Sequence, residues 1–179
     1  MLRYITILTV GFLLFSCGAS DEPLIYGSPS GAVQGMVPIY ESPETAHRLT
    51  IEDPKTIVNP GKIFTYNDFL IVTIIGEGFH VIDNENPASP QPLFFINIPG
   101  NSDVVVKDNI FFANNYNDLI SFTFDANRNL QLIERMSDAM RNSTVGVEPG
   151  MYFECVDPTK GIVVGWEAAT INNPKCLKQ

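Results

Sequence analysis

The chain has 179 residues, with 20 Asp and Glu against 11 Lys and Arg and a net charge of −9. That length suits one domain rather than two, and the acidity repels nucleic acid and anionic lipid, which excludes nucleic-acid binding. A hydrophobic content of 45%, with 11% aromatic residues, is ample for a folded core and excludes disorder over most of the chain.

Arg3 gives a basic start, and residues 5–15 are an apolar run interrupted only by Thr6, Thr9 and Gly11. The run is too short for a membrane span, and its abrupt end at Leu14-Phe15-Ser16-Cys17 marks a secretory signal. The Leu-x-Ser-Cys ending resembles the lipobox of bacterial lipoproteins. The resemblance implies a signal peptide over residues 1–16, with Cys17 the acylated first residue of the mature protein. Several acyl chains there anchor a protein stably, whereas one chain binds only marginally. Gly18 follows where the inner-membrane retention signal of enteric bacteria has aspartate, so a lipid-anchored place at the outer membrane is expected. Ser20-Asp21-Glu22 resembles the acidic tether that sends some Gram-negative lipoproteins to the cell surface, and the periplasmic face and the surface both stay open.

Residues 17–36 hold Gly27-Ser28-Pro29-Ser30-Gly31 and read as a flexible lipidated tether, leaving residues 37–179 as the folded domain. Ser42-Pro43-Glu44 carries a helix start, serine as cap and proline at the first position, and the helix must stop before Asp53-Pro54. Asn59-Pro60-Gly61 is a turn. Beyond it the pattern is that of strands. Residues 69–75 form a nearly continuous β-rich run, as in a strand covered on both faces. Gly76-Glu77-Gly78 connects it tightly to a strand at 79–82; residues 84–92 are a loop, and 93–98 a third strand. Segments 104–106, 110–113 and 119–124 continue the series, with no long amphipathic helix among them.

The strand region repeats at an offset of about 40 residues, the period of propeller blades. Asn67-Asp68-Phe69-Leu70 lies over Lys107-Asp108-Asn109-Ile110, and Phe79-His80-Val81-Ile82 over Leu119-Ile120-Ser121-Phe122. Gly78-Phe79-His80-Val81-Ile82-Asp83, with Asn86-Pro87 and Pro90 after it, resembles the LVIVD repeat of bacterial β-propeller lipoproteins. Asn59 to Ile63, Ile98-Pro99-Gly100-Asn101-Ser102-Asp103-Val104, Asp118-Leu119-Ile120 and the stretch 161–166 are similar to the same group. The second copy departs from the repeat in having Thr123 where its terminal aspartate would fall. The resemblance implies an all-β, propeller-type array of about two blades behind the tether, fewer than the three or so repeats usually needed for stability. Three arrangements then offer themselves: copies assembled into a ring, a small twisted sandwich, or a truncated version of a longer gene. The stability argument favours the last.

Cys17 being assigned to lipid, Cys155 and Cys176 remain, and an internal disulfide, two buried thiols and pairing to another chain are all open. A bridge between them would close a loop of about 20 residues and contribute about 3 kcal/mol. No metal or catalytic set is assigned, and no cofactor beyond the acyl chains on Cys17 is expected. The two histidines are His47 and His80, and His80 alternates with Phe79 and Val81 and reads as a polar or half-buried strand residue facing away from them. Asp125-Ala126-Asn127-Arg128-Asn129 opens like a calcium loop, but Leu130 and Met136 stand where glycine and glutamate are required, so it reads as a turn. Asp83-Asn84-Glu85-Asn86 is a polar hairpin tip, and Asp157-Pro158-Thr159-Lys160-Gly161 a turn between strands. Asn142-Ser143-Thr144 is a sequon that carries nothing in a bacterial lipoprotein. Trp166, the sole tryptophan, reads as a blade-core or sheet-edge aromatic in preference to a sugar-stacking platform.

The function expected from all this is a non-enzymatic, envelope-anchored interaction or scaffold module. Its partners are the lipid membrane, through Cys17, and an envelope protein or further copies of itself. The alternatives are a metal-dependent hydrolase or glycan-handling accessory using the acidic loops at Asp83 and Asp125, and an inert fragment of a longer propeller.

Overall fold

A computed structural model describes residues 29–125, 127–140 and 146–179. The signal peptide, Cys17, most of the tether and the sequon therefore lie outside the described residues. Those described form an all-β protein of thirteen strands in three sheets, with one short α-helix and one 3-10 turn.

The first sheet is a meander of β3 (Pro60–Tyr66), β4 (Phe69–Ile74), β5 (Gly78–Asp83) and β6 (Gln91–Asn97). A three-residue strand, β2 (Thr50–Glu52), lies along its β6 edge. The second sheet repeats the meander with β7 (Val104–Lys107), β8 (Ile110–Asn115), β9 (Asp118–Phe124) and β10 (Leu130–Met136), each about 40 residues after its counterpart. The hairpins follow from turn chemistry. Asp108 and Asn109, at φ 51° and 63°, form a two-residue connection with both residues left-handed, the geometry that matches strand twist.

The core lies between these two sheets. Phe79 and Val81 on β5, Phe94 and Ile96 on β6, and Ile71 on β4 face Phe111, Ala113, Ile120 and Phe122 of the second sheet. The Phe79 and Phe111 rings stack at 5.8 Å, and Phe111 and Phe122 at 5.6 Å. The outer face of the first sheet is covered too. His80 there is only 1% exposed, not half-buried as its alternation suggested, with Phe95 edge-on at 4.8 Å and Lys55 above the Phe95 ring at 3.6 Å. Sequence alternation identifies the face on which a side chain lies, but not what a connecting segment lays over that face.

The third sheet joins the two ends of the described chain. β1 (Ala32–Glu41) pairs antiparallel with β12 (Ile162–Asn172), from Ala32↔Asn172 to Glu41↔Ile162, and parallel with β11 (Tyr152–Phe153) at Met36↔Phe153. β13 (Cys176–Leu177) completes the order β12-β1-β11-β13. The tether expected to run to residue 36 therefore stops short, since β1 begins at Ala32. Gly35, read there as a flexible residue, is instead a close approach: a Cβ would collide with Ile171 and the Tyr152 carbonyl. Cys155 and Cys176 are bonded to each other, Cα to Cα 5.4 Å, which ties β13 to the segment after β11.

After β1, Ser42 caps helix α1 (Pro43–Ala46), its Oγ accepting from the Thr45 amide at 3.2 Å. Pro60 and Gly61, expected in a turn, instead open β3, whereas the turn expected at Asp157 folds as read. Asp157 caps the 3-10 turn Pro158–Lys160 between β11 and β12, accepting from the Thr159 amide at 3.0 Å.

Candidate functional site

A cleft of about 390 Å³ opens where the ends of all three sheets meet. Its walls carry Asn101, Asn114, Tyr116 and Asn117 from the loops and strands of the second sheet, and Trp166 and Val164 from β12.

Its floor is set by two asparagines. Asn114, at the end of β8, accepts at Oδ1 from the Ser102 amide (2.9 Å), the Ser102 hydroxyl (3.1 Å) and the Asp103 amide (3.2 Å). Its Nδ2 donates to the Gly100 carbonyl at 3.0 Å. Asn101 Nδ2 donates to the carbonyls of Asp103 (2.8 Å) and Asn114 (3.0 Å). Asn101 is fully buried, yet its Oδ1 has no hydrogen-bond partner among the described residues. Buried acceptors of this kind are uncommon in folded proteins.

Tyr116, in the turn between β8 and β9, sits at φ 51°, a region that bulky side chains avoid. The conformation lays its ring over Gly100, where any Cβ would run into it. Burial, and then the negative charge of Glu41, push the Tyr116 hydroxyl above its usual pKa, so it remains a neutral donor. Trp166 is half-buried on β12, an edge strand, with Phe153 against it edge-to-face at 5.4 Å, so it is both a sheet-edge aromatic and a wall of the cleft. No charged side chain is among the described residues of the lining.

The other candidate groups do not converge on this cleft. The Asp83 carboxylate accepts from the Glu85 amide at 2.9 Å, and Asp125 from the amides of Asn127 and Asn129 at 2.9 Å, so each closes its own turn. Hydrogen bonds from Asn129 hold the Asp125 carboxyl below its ordinary pKa, consistent with a turn cap. Among the described residues, no three His, Cys, Asp or Glu side chains come together as metal ligands. His80 stands in an apolar layer; burial, and then the nearby Lys55 charge, lower its pKa and keep the ring neutral.

His47 finds partners that the sequence did not suggest. Asp118 Oδ2 accepts from Arg135 at 2.7 Å and lies 3.3 Å from His47 Nε2, while its Oδ1 accepts from the Asp138 amide at 3.1 Å. Asn115 Nδ2 reaches the Ala46 carbonyl at 3.0 Å and the Pro99 carbonyl at 2.6 Å. Both carboxylate oxygens are thus occupied, and the group is a clamp holding the end of α1 on the second sheet. Burial, and then Arg135, lower the His47 pKa against the pull of Asp118.

Asn101, Asn114 and Tyr116 were not legible as a site, since asparagine and glycine around strands signal turns. The one usable hint was a large aromatic between two asparagines, where a turn would take glycine. Compared with known protein families, with curated proteins and with solved structures, the chain matches none.

Proposed function

We propose that the chain is a non-enzymatic interaction module of the bacterial envelope, a lipoprotein held at the outer membrane by acyl chains on Cys17. In this reading the meanders are blades of a propeller-type array of the LVIVD kind. Their common strand order, their spacing and the face-to-face packing of consecutive copies support it. The third sheet would be a further blade completed by β1, which covers one side of β12 and leaves β12 as the outer strand.

The observation that carries the functional part is the cleft where the sheets meet. Aromatic rings and neutral amides around a concave, partly apolar opening are recognition chemistry. Asp83 and Asp125, the carboxylates of the hydrolase alternative, cap turns and are not among the cleft's described lining.

The test begins with palmitate labelling of the full-length protein and of Cys17→Ser in a Gram-negative host, followed by membrane fractionation. Loss of the label and of membrane association in the variant is expected. A photo-crosslinking residue at Ile75, an exposed position on the cleft rim, should then capture a discrete envelope component that one at Val58, exposed but outside the lining, does not. Label independent of Cys17, or equal capture from both positions, would refute the proposal.

A further inference from the structure

The chemistry of the cleft is narrower than a general interaction surface requires. We propose that it binds carbohydrate, taking one or two neutral pyranose rings of a glycan between Trp166 and Tyr116. The inference rests on the interaction-module reading and names the ligand class of that same site.

Three observations point the same way. The volume, about 390 Å³, is in the range of small-ligand sites. Two aromatic rings, from different sheets, line it, and aromatic faces pack against the C–H face of a sugar while its hydroxyls reach outward. The accessible polar lining is hydroxyl and amide, from Ser102 and Asn117, groups that both donate and accept as sugar hydroxyls do.

Charge narrows the class further. The described lining carries none, and the chain as a whole is at −9, so an acidic saccharide meets repulsion with no cation to offset it. Tyr116 adds an independent sign. A bulky residue held at φ 51° is uncommon, and such positions gather at sites that clamp a ligand.

Trp166 is the only tryptophan, so its emission reports directly on the cleft. The experiment titrates detergent-solubilised full-length protein with maltotriose, cellotriose, galactotriose and chitotriose. A sulfated disaccharide and a proline-rich peptide serve as the rival ligands. A saturable change in Trp166 emission with at least one neutral sugar is expected, confirmed by calorimetry. Asn117→Ala and Gly100→Ala should each weaken it at least ten-fold, and Asn117→Ala should leave the melting curve unchanged. No saturable response to any neutral sugar by either method overturns the proposal, as does binding that both variants retain. Saturation by the sulfated sugar or the peptide alone also overturns it, yet leaves the interaction-module reading standing. Conversely, acylation independent of Cys17 would remove that reading without touching a measured sugar affinity.

Discussion

The two places where sheets meet are built differently. Between the first and second sheets, Phe79, Phe111 and Phe122 stack within a continuous apolar layer, with Ile71, Val81, Ile96 and Ile120 sealing it. Between the second and third sheets there is a cleft, floored by an asparagine network and walled by Tyr116 and Trp166. The first interface joins neighbours in sequence, whose short connections bring apolar faces together at little entropic cost. The second joins a sheet assembled from both ends of the chain, held by the β1–β12 ladder, the disulfide and the α1 clamp. A closed interface supplies stability. An open one, positioned by the closed one, can supply recognition.

The most forceful way to break this contrast is at the closed interface. Phe79→Ala and Phe122→Ala remove fully buried rings and should each cost about 3–5 kcal/mol in denaturant unfolding. Trp166→Ala, at the half-buried wall of the cleft, should cost no more than about 2 kcal/mol. Equal costs would erase the distinction. Reduction of Cys155–Cys176, or Cys176→Ser, should cost about 3 kcal/mol. Its effect should be local, with hydrogen exchange rising in β11, β13 and the C-terminal half of β12 before β4, β5, β8 and β9. Uniform loosening would mean that the third sheet is not a separate unit.

Smaller effects sharpen the picture. Asn114→Ala leaves Asn101 its carbonyl acceptors but removes the acceptor of the Ser102 and Asp103 amides and the donor to the Gly100 carbonyl, and should lower stability by about 1–3 kcal/mol. The smallest test concerns pH. His80 has a folded pKa below its free value of 6.5, so above that pH neither state takes up its proton and the residue contributes no pH dependence. As pH falls through 6.5 the unfolded chain is protonated first, and stability declines until the folded ring titrates as well. A melting series from pH 7.5 to 5 should therefore slope downward, and His80→Phe should flatten part of that slope. An unchanged slope would place the titration elsewhere, with His47, whose pKa is lowered too, the next candidate.

Much of the fold was readable residue by residue. The meanders follow from alternation interrupted by Asn67-Asp68, Gly76 to Gly78 and Asp108-Asn109, all local signals that survive folding because tertiary packing uses the same faces. The Ser42 cap and the Asp157 turn were legible for the same reason. Gly35 shows where such reading fails. In a Gly-rich stretch it signals flexibility, but against Ile171 and the Tyr152 carbonyl it marks strands in close contact. His80 fails in a related way, since the chain segment carrying Lys55 lies more than twenty residues before it in sequence and folds over its layer.

Local chemistry along the chain suffices for an all-β protein with two successive four-strand units, because strand period and turn preference act over a few residues. Long-range pairing alone supplies the third sheet, which joins Ala32 to Asn172, and with it the cleft. Tyr116, Asn101 and Trp166 come to line one cleft only when three sheet ends converge. No short-range signal encodes that convergence: it depends on which distant backbone completes each edge.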